Sequence, residues 1–270
     1  MSTRTRPVGS WFALDADGAI VNPAAWEQVP APVLPVIERA RTTYLERFGD
    51  ALHSAYVRGS VVLGDAVPGV ADLDTFALVR PDPPERFVWW ETPAWAEQEA
   101  RRAGTADGWL TGVDFGWASH HDDFDVRNPT LAAMIATQSL CIAGDDLAPC
   151  LRPRRPGPDM LLDHLAVARE VAWLQDVADG RAADDAERVR AVLKRLLRVG
   201  FELVMEDEGR YATSVYLGCE AFARHRPQHA EAMWTVLELY LDRAPGTELP
   251  PAVLPLAHWV VAEAARALPA

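Results

Sequence analysis

Seven residues, Arg152 to Pro158 (RPRRPGP), set the strongest limit on how this chain folds: three prolines and a glycine cannot continue a helix or a strand. The sequence therefore reads as two domains, 1–151 and 152–270. Downstream, the segments Leu161–Val177, Glu187–Met205, Thr213–Arg224, Glu231–Leu241 and Val253–Leu268 each repeat apolar residues every three to four positions. That is the spacing of amphipathic helices, so the second domain is predicted to be all helical. His258, Glu263 and Arg266 exclude the last of them as a membrane span.

Upstream the periodicity changes along the chain. Val33, Leu34, Val36, Ile37, Ala40, Tyr44, Leu45 and Phe48 recur at helical spacing within Pro30–Phe48, and Gly49 stands where a helix would stop. An apolar stretch ending in Tyr56 and Val57 leads to the pair Gly59-Ser60. A loop punctuated by Gly64, Pro68 and Gly69 follows, then the run Asp72–Val79, which reads as a strand beginning at the rim of a sheet. After a proline-broken, Trp-rich stretch from Pro81 to Gly104, Leu110–Ala118 reads as another strand and carries Asp114. The expected first domain is a small mixed α+β unit.

Composition narrows the function classes. With 49% hydrophobic residues and ten tryptophans the chain can build cores without disulfides. Cys141, Cys150 and Cys219 have neither disulfide-framework nor zinc-site spacing. A formal charge of -13 argues against long nucleic acid, whose binding needs displaced counterions. Asp15 and Asp17 interrupt any signal-peptide core near the N-terminus, and no segment runs about 18 apolar residues without charge, so a cytoplasmic, non-membrane protein is expected.

The chemistry concentrates in RGSVVLGDAVPGVADLDTFALV. Eleven residues separate Gly59-Ser60 from Asp72, and Asp74 follows two positions later. Side chains at i and i+2 of a strand share a face about 7 Å apart, so Asp72 and Asp74 would border one cleft while Leu73 packs behind them. Paired carboxylates suit magnesium, which keeps open positions for the phosphates of a nucleoside triphosphate. A glycine before Ser60 lets backbone approach phosphate closely, and Ser60 adds a hydroxyl donor. Asp114, between apolar neighbours, is the natural third carboxylate and proton acceptor. Asp122, Asp123 and Asp125, just downstream, are its rivals. Metal-dependent nucleases and phosphatases also pair acids, but leave the Gly-Ser loop without a role.

Gly59-Ser60, the spacer with Gly64, Asp72-Leu73-Asp74 entering an apolar strand and Asp114 on a later one resemble the nucleotidyltransferase superfamily of DNA polymerase beta type. The GSVVLG form and the helical second half are most similar to aminoglycoside adenylyltransferases of the streptomycin/spectinomycin kind. The core motif covers about 25 residues. The resemblance implies a four- or five-stranded mixed sheet and Mg2+ held by Asp72, Asp74 and Asp114. It implies transfer of a nucleoside monophosphate, AMP from ATP, to a hydroxyl of a small polar acceptor such as an aminoglycoside. It further implies that the helical domain closes over the nucleotide, through Lys194–Glu202 and the stretch Gly209–Ser214.

Lys194 is the single lysine among twenty-five arginines, and a compact ammonium suits a triphosphate. It also borders the apolar stripe Val189, Val192, Leu193, Leu196 and Leu197, where a surface lysine would sit equally well. Tyr211 and Ser214 are candidate nucleotide contacts, with a turn and a helix N-cap as the plainer role. His120 and His121 would point apart on a strand and read as solvated rather than metal-binding. Trp89, Trp90, Trp95, Trp109 and Trp117 read as core packing before acceptor pocket. A catalytically silent nucleotide-binding or interaction module, or a transferase acting on a protein or RNA, is the competing function.

Overall fold

The computed structural model describes residues 9–80, 94–183, 185–242 and 249–267. The chain divides into two compact units, one of Ile20–Arg154 and one of Met1–Ala19 with Arg155–Ala270. The division between Arg154 and Arg155 falls inside the proline-rich stretch. The N-terminal residues differ from the expectation that 1–151 forms one domain, because they join the helical unit. There the Phe12 N–H donates to the Tyr211 carbonyl at 2.8 Å, and the Trp11 ring lies 5.8 Å from that of Phe201. Backbone bonding and ring packing with partners some 200 residues away leave no trace in local periodicity.

The Ile20–Arg154 unit runs α1 (Leu34–Phe48), β1 (Leu52–Arg58), α2 (Ser60–Leu63), β2 (Leu73–Val79), α3 (Ala94–Ala103), β3 (Val113–Ser119), α4 (Phe124–Arg127), α5 (Pro129–Gln138) and β4 (Ser139–Gly144). Pro35 opens α1, and Gly49, at φ 49°, ends it with its N–H on the Leu45 carbonyl. The described strands form one sheet in the order β3-β2-β1-β4. β1 is antiparallel to both β2 and β4, and β2 is parallel to β3. The fold is thus the expected α+β arrangement with a mixed sheet.

Alternation along the strands sorts their residues between two cores. Leu73, Ala77 and Val79 of β2 join Ala55, Val57, Val113, Phe115 and Trp117 against Val36, Ile37, Ala40 and Tyr44 of α1 and Ala96 of α3. Tyr56, Phe76 and Leu78 face the other way, onto Phe124 and onto Leu131, Ala132 and Ile135 of α5. Trp117 is fully buried, and Trp95 and Trp109 pack against the first core, so all three serve packing. Trp89 and Trp90 lie outside the described residues.

The second unit carries α6 (His164–Ala178), α7 (Ala186–Glu202), α8 (Met205–Glu208), α9 (Val215–His225), α10 (Ala230–Leu241) and α11 (Val253–Ala267). Val189, Val192, Leu193, Leu196 and Leu197 make the buried face of α7, as their spacing implies. A side chain at Gly200 of α7 would strike Met233 of α10, and one at Gly218 of α9 would meet Phe201 Cβ at 3.0 Å. At Gly218 the bare backbone lets α9 lie close against α7. No helix among the described residues is long and apolar enough to cross a membrane. None of the three cysteines is in a disulfide.

Candidate active site

The sheet's register builds the site. In the parallel pair β2/β3, Leu73 stands beside Val113 and Asp74 beside Asp114. Leu73 and Val113 point into the core under α1, so both aspartates emerge on the opposite face at adjacent positions. Asp72 lies one residue before β2 rather than within it, yet it still converges. Carboxylate oxygens of Asp72, Asp74 and Asp114 all lie within 4.8 Å of one another, with Asp72 and Asp114 exposed and Asp74 half-buried. Three hard oxygen donors at that spacing, open on one side, fit a hydrated divalent cation such as Mg2+.

Gly59 and Ser60 border the same point. β1 ends at Arg58, whose register partner is Asp74, so the following turn begins beside that aspartate. Gly59 has φ 84°, and a Cβ there would meet Asp74 Oδ2 at 3.1 Å. Glycine is required twice over, for the left-handed backbone and for the close approach. Ser60 opens the single turn α2, and the Gly64 N–H, at φ 77°, returns to the Ser60 carbonyl.

The rivals of Asp114 are used elsewhere or lie beyond the cluster. Asp123 pairs with Arg127 at 2.8 Å, and Asp125 is held by the buried Arg154 and by Arg152 at 3.3 Å. Among the described residues, the acid triad is the one group of this kind with converging ligand atoms, and Asp122 is not in it. His120 stacks on His53 with ring centroids 3.8 Å apart, away from any such cluster.

A buried polar relay behind the site was not foreseen. The Thr75 hydroxyl donates to the Asp114 main-chain carbonyl at 2.7 Å, and the Tyr44 hydroxyl lies 2.8 Å from Thr75 Oγ1 and 3.1 Å from the Gly116 carbonyl. Burial pushes the Tyr44 phenol well above the ordinary tyrosine range, so it stays a neutral hydrogen-bonding group. The relay ties α1 to the β2/β3 register that aligns Asp74 with Asp114. Tyr44 reads in sequence only as one more residue of an apolar face; Thr75, on the core side of β2 among Leu73, Ala77 and Val79, is the available signal.

No protein-family profile and no curated protein matches the chain. A solved structure does: spectinomycin adenyltransferase AAD(9) from Enterococcus faecialis, crystallised with ATP and spectinomycin, superposes with a TM-score of 0.54 at 14% identity. The match covers 86% of this chain and 99% of that one. The two chains share one fold. Within that fold the aspartates sit at the rim of the mixed sheet beside the Gly59-Ser60 turn.

The other sequence candidates belong to the helical unit. Lys194 is half-buried on α7 beside the apolar stripe. Tyr211 is buried, its ring edge-on to Phe12 at 5.2 Å. Ser214 is the N-cap of α9 and accepts from the Leu217 N–H at 3.4 Å. Capping by Ser214 is the plainer role read from the sequence, whereas the ring packing of Tyr211 is not signalled there.

Proposed function

We propose that this protein transfers a nucleoside monophosphate, AMP from ATP, to a hydroxyl of a small polar acceptor, with Mg2+ held by Asp72, Asp74 and Asp114. The observation that carries the reading is the convergence of three carboxylates within 4.8 Å beside a glycine turn. Like charges so close repel, and a cation is the economical way to hold them together.

In this reaction the acceptor oxygen attacks the α-phosphorus, the new O–P bond forms as the α–β anhydride bond breaks, and pyrophosphate leaves. Asp114, the exposed member on β3, takes the proton of the acceptor hydroxyl. The Gly59 backbone gives the phosphates room against the sheet, and Ser60 offers its hydroxyl. A bound divalent cation would neutralise charge gathering on the phosphates and the leaving group. Lys194, Tyr211 and Ser214 enter the proposal as nucleotide contacts through the family resemblance. An aminoglycoside is the first acceptor to try, because AAD(9) was crystallised with spectinomycin.

The test is calorimetry with a non-hydrolysable ATP analogue and magnesium, on wild type and on a folded Asp72→Asn/Asp74→Asn variant. Magnesium-dependent binding that disappears in the variant supports the transferase and justifies an acceptor screen. Absence of triphosphate binding by the wild type favours the silent module.

A further inference from the structure

Arg58 ends β1 in register with Asp74 on one side and Ser139 on the other. Residues directly opposed in an antiparallel pair project to one face, so Arg58 shares the face on which the aspartates emerge. Its Nη2 lies 3.4 Å from Asp74 Oδ2, with both side chains about three-quarters covered. Asp74 Oδ2 is also the atom that a Cβ on Gly59 would touch. A guanidinium, a candidate metal-ligand oxygen and the backbone of the glycine turn therefore crowd one point. Ladders on both sides hold the Arg58 main chain, which leaves the side chain as the part free to turn.

This arrangement sets two cations in competition for one carboxylate. A metal ion at Asp74 must share that carboxylate with the guanidinium or displace it. A guanidinium presents five N–H donors in a plane, more than one carboxylate can accept, and its fork matches the oxygens of a phosphate. We propose that Arg58 is a polyphosphate-binding residue: it rests on Asp74 while the site is empty, and turns to the phosphates of the triphosphate and departing pyrophosphate once a metal takes over that carboxylate. The inference rests on the nucleotidyl-transfer reading above and adds a residue that the matched motif of glycine, serine and aspartates does not contain.

Two opposite effects follow from one substitution. In Arg58→Gln the competitor at Asp74 is gone, so Mn2+ alone binds about three- to tenfold more tightly. The phosphate donor is gone as well, so a non-hydrolysable ATP analogue with Mg2+ binds about tenfold more weakly. Arg58→Lys keeps the charge without the fork; it leaves Mn2+ affinity near wild type and gives an intermediate loss for the nucleotide. Mn2+ titration followed by electron paramagnetic resonance, calorimetry with the analogue and a thermal midpoint for each variant read all three quantities. The opposed changes, at an unchanged midpoint, establish the role. Constants that stay at the wild-type value, or that weaken together with a lowered midpoint, overturn it and leave Arg58 a structural ion pair. Wild-type protein that binds neither metal nor nucleotide overturns the nucleotidyl-transfer reading, and this inference with it.

Discussion

Each unit gathers a group of acidic residues, and the two groups are held in opposite ways. At the rim of the sheet Asp72, Asp74 and Asp114 bring carboxylate oxygens within 4.8 Å of each other, two of the three exposed. In the helical unit one set of acids is covered and matched. Glu202 accepts from the Leu162 and Asp163 N–H groups at 2.8 and 2.9 Å and from His164 Nδ1. Asp163 and Glu170 clasp Arg195, which ties α6 to α7. The nearly covered Glu208 carboxylate holds Arg210, Arg224 and His225. Burying a carboxylate without donors is costly, so the second pattern is what stability demands, whereas acids set against one another at an open rim repel, and a cation relieves that repulsion.

The largest expected effect tests the rim. Asp72→Asn/Asp74→Asn is expected to lower nucleotidyl transfer on the order of a thousandfold, while the thermal midpoint holds or rises because repulsion is relieved. A lowered midpoint would break the comparison. Glu202→Ala is the mirror case: it strands His164 and two main-chain N–H groups, and urea denaturation should show a loss of about 3 kcal/mol. Nucleotide binding at 25 °C, measured on the folded fraction, should survive.

Smaller effects sharpen the contrast. Tyr44→Phe removes one buried hydroxyl from the relay behind Asp114 and is expected to cost about 1 kcal/mol in the same denaturation experiment. A modest fall in turnover should follow if the relay holds the β2/β3 alignment. The smallest concerns the stacked His53 and His120. Burial and the nearby Arg80 lower His53, and burial and His53 lower His120, from an ordinary value of 6.5. A histidine depressed in the folded state contributes stability that is complete above the unfolded value and is lost as pH falls through the folded one. Thermal midpoints should therefore fall as pH drops below about 6.5, and His120→Phe should flatten that slope.

Much of this was legible beforehand for identifiable reasons. The helical faces of α1 and α7 were read from spacing, because a 3.6-residue period is written directly into the order of residues. The break at Arg152–Pro158 was read from proline, which acts through its own covalent geometry. The aspartate pair was read from a two-residue interval that a strand converts to one face. β4 was not read: Ser139–Gly144 follows the apolar α5 without a break, and a short apolar run does not distinguish strand from helix. The N-terminal segment joins the helical unit, and no local spacing announces this because its partners lie beyond residue 200.

The residues by themselves determined the two-part organisation, the α+β class and the identity of the acids available for metal. Tertiary structure decided which acid completes the triad, because only the parallel register of β2 with β3 sets Asp114 beside Asp74 while Asp123 and Asp125 are spent on arginines. It also decided that Arg58 meets Asp74 and that Tyr44 and Thr75 brace the site from behind. Local periodicity records how a residue faces its own element. The meeting of elements distant in sequence depends on pairing and packing free energies spread over the whole sheet, which no short interval of sequence contains.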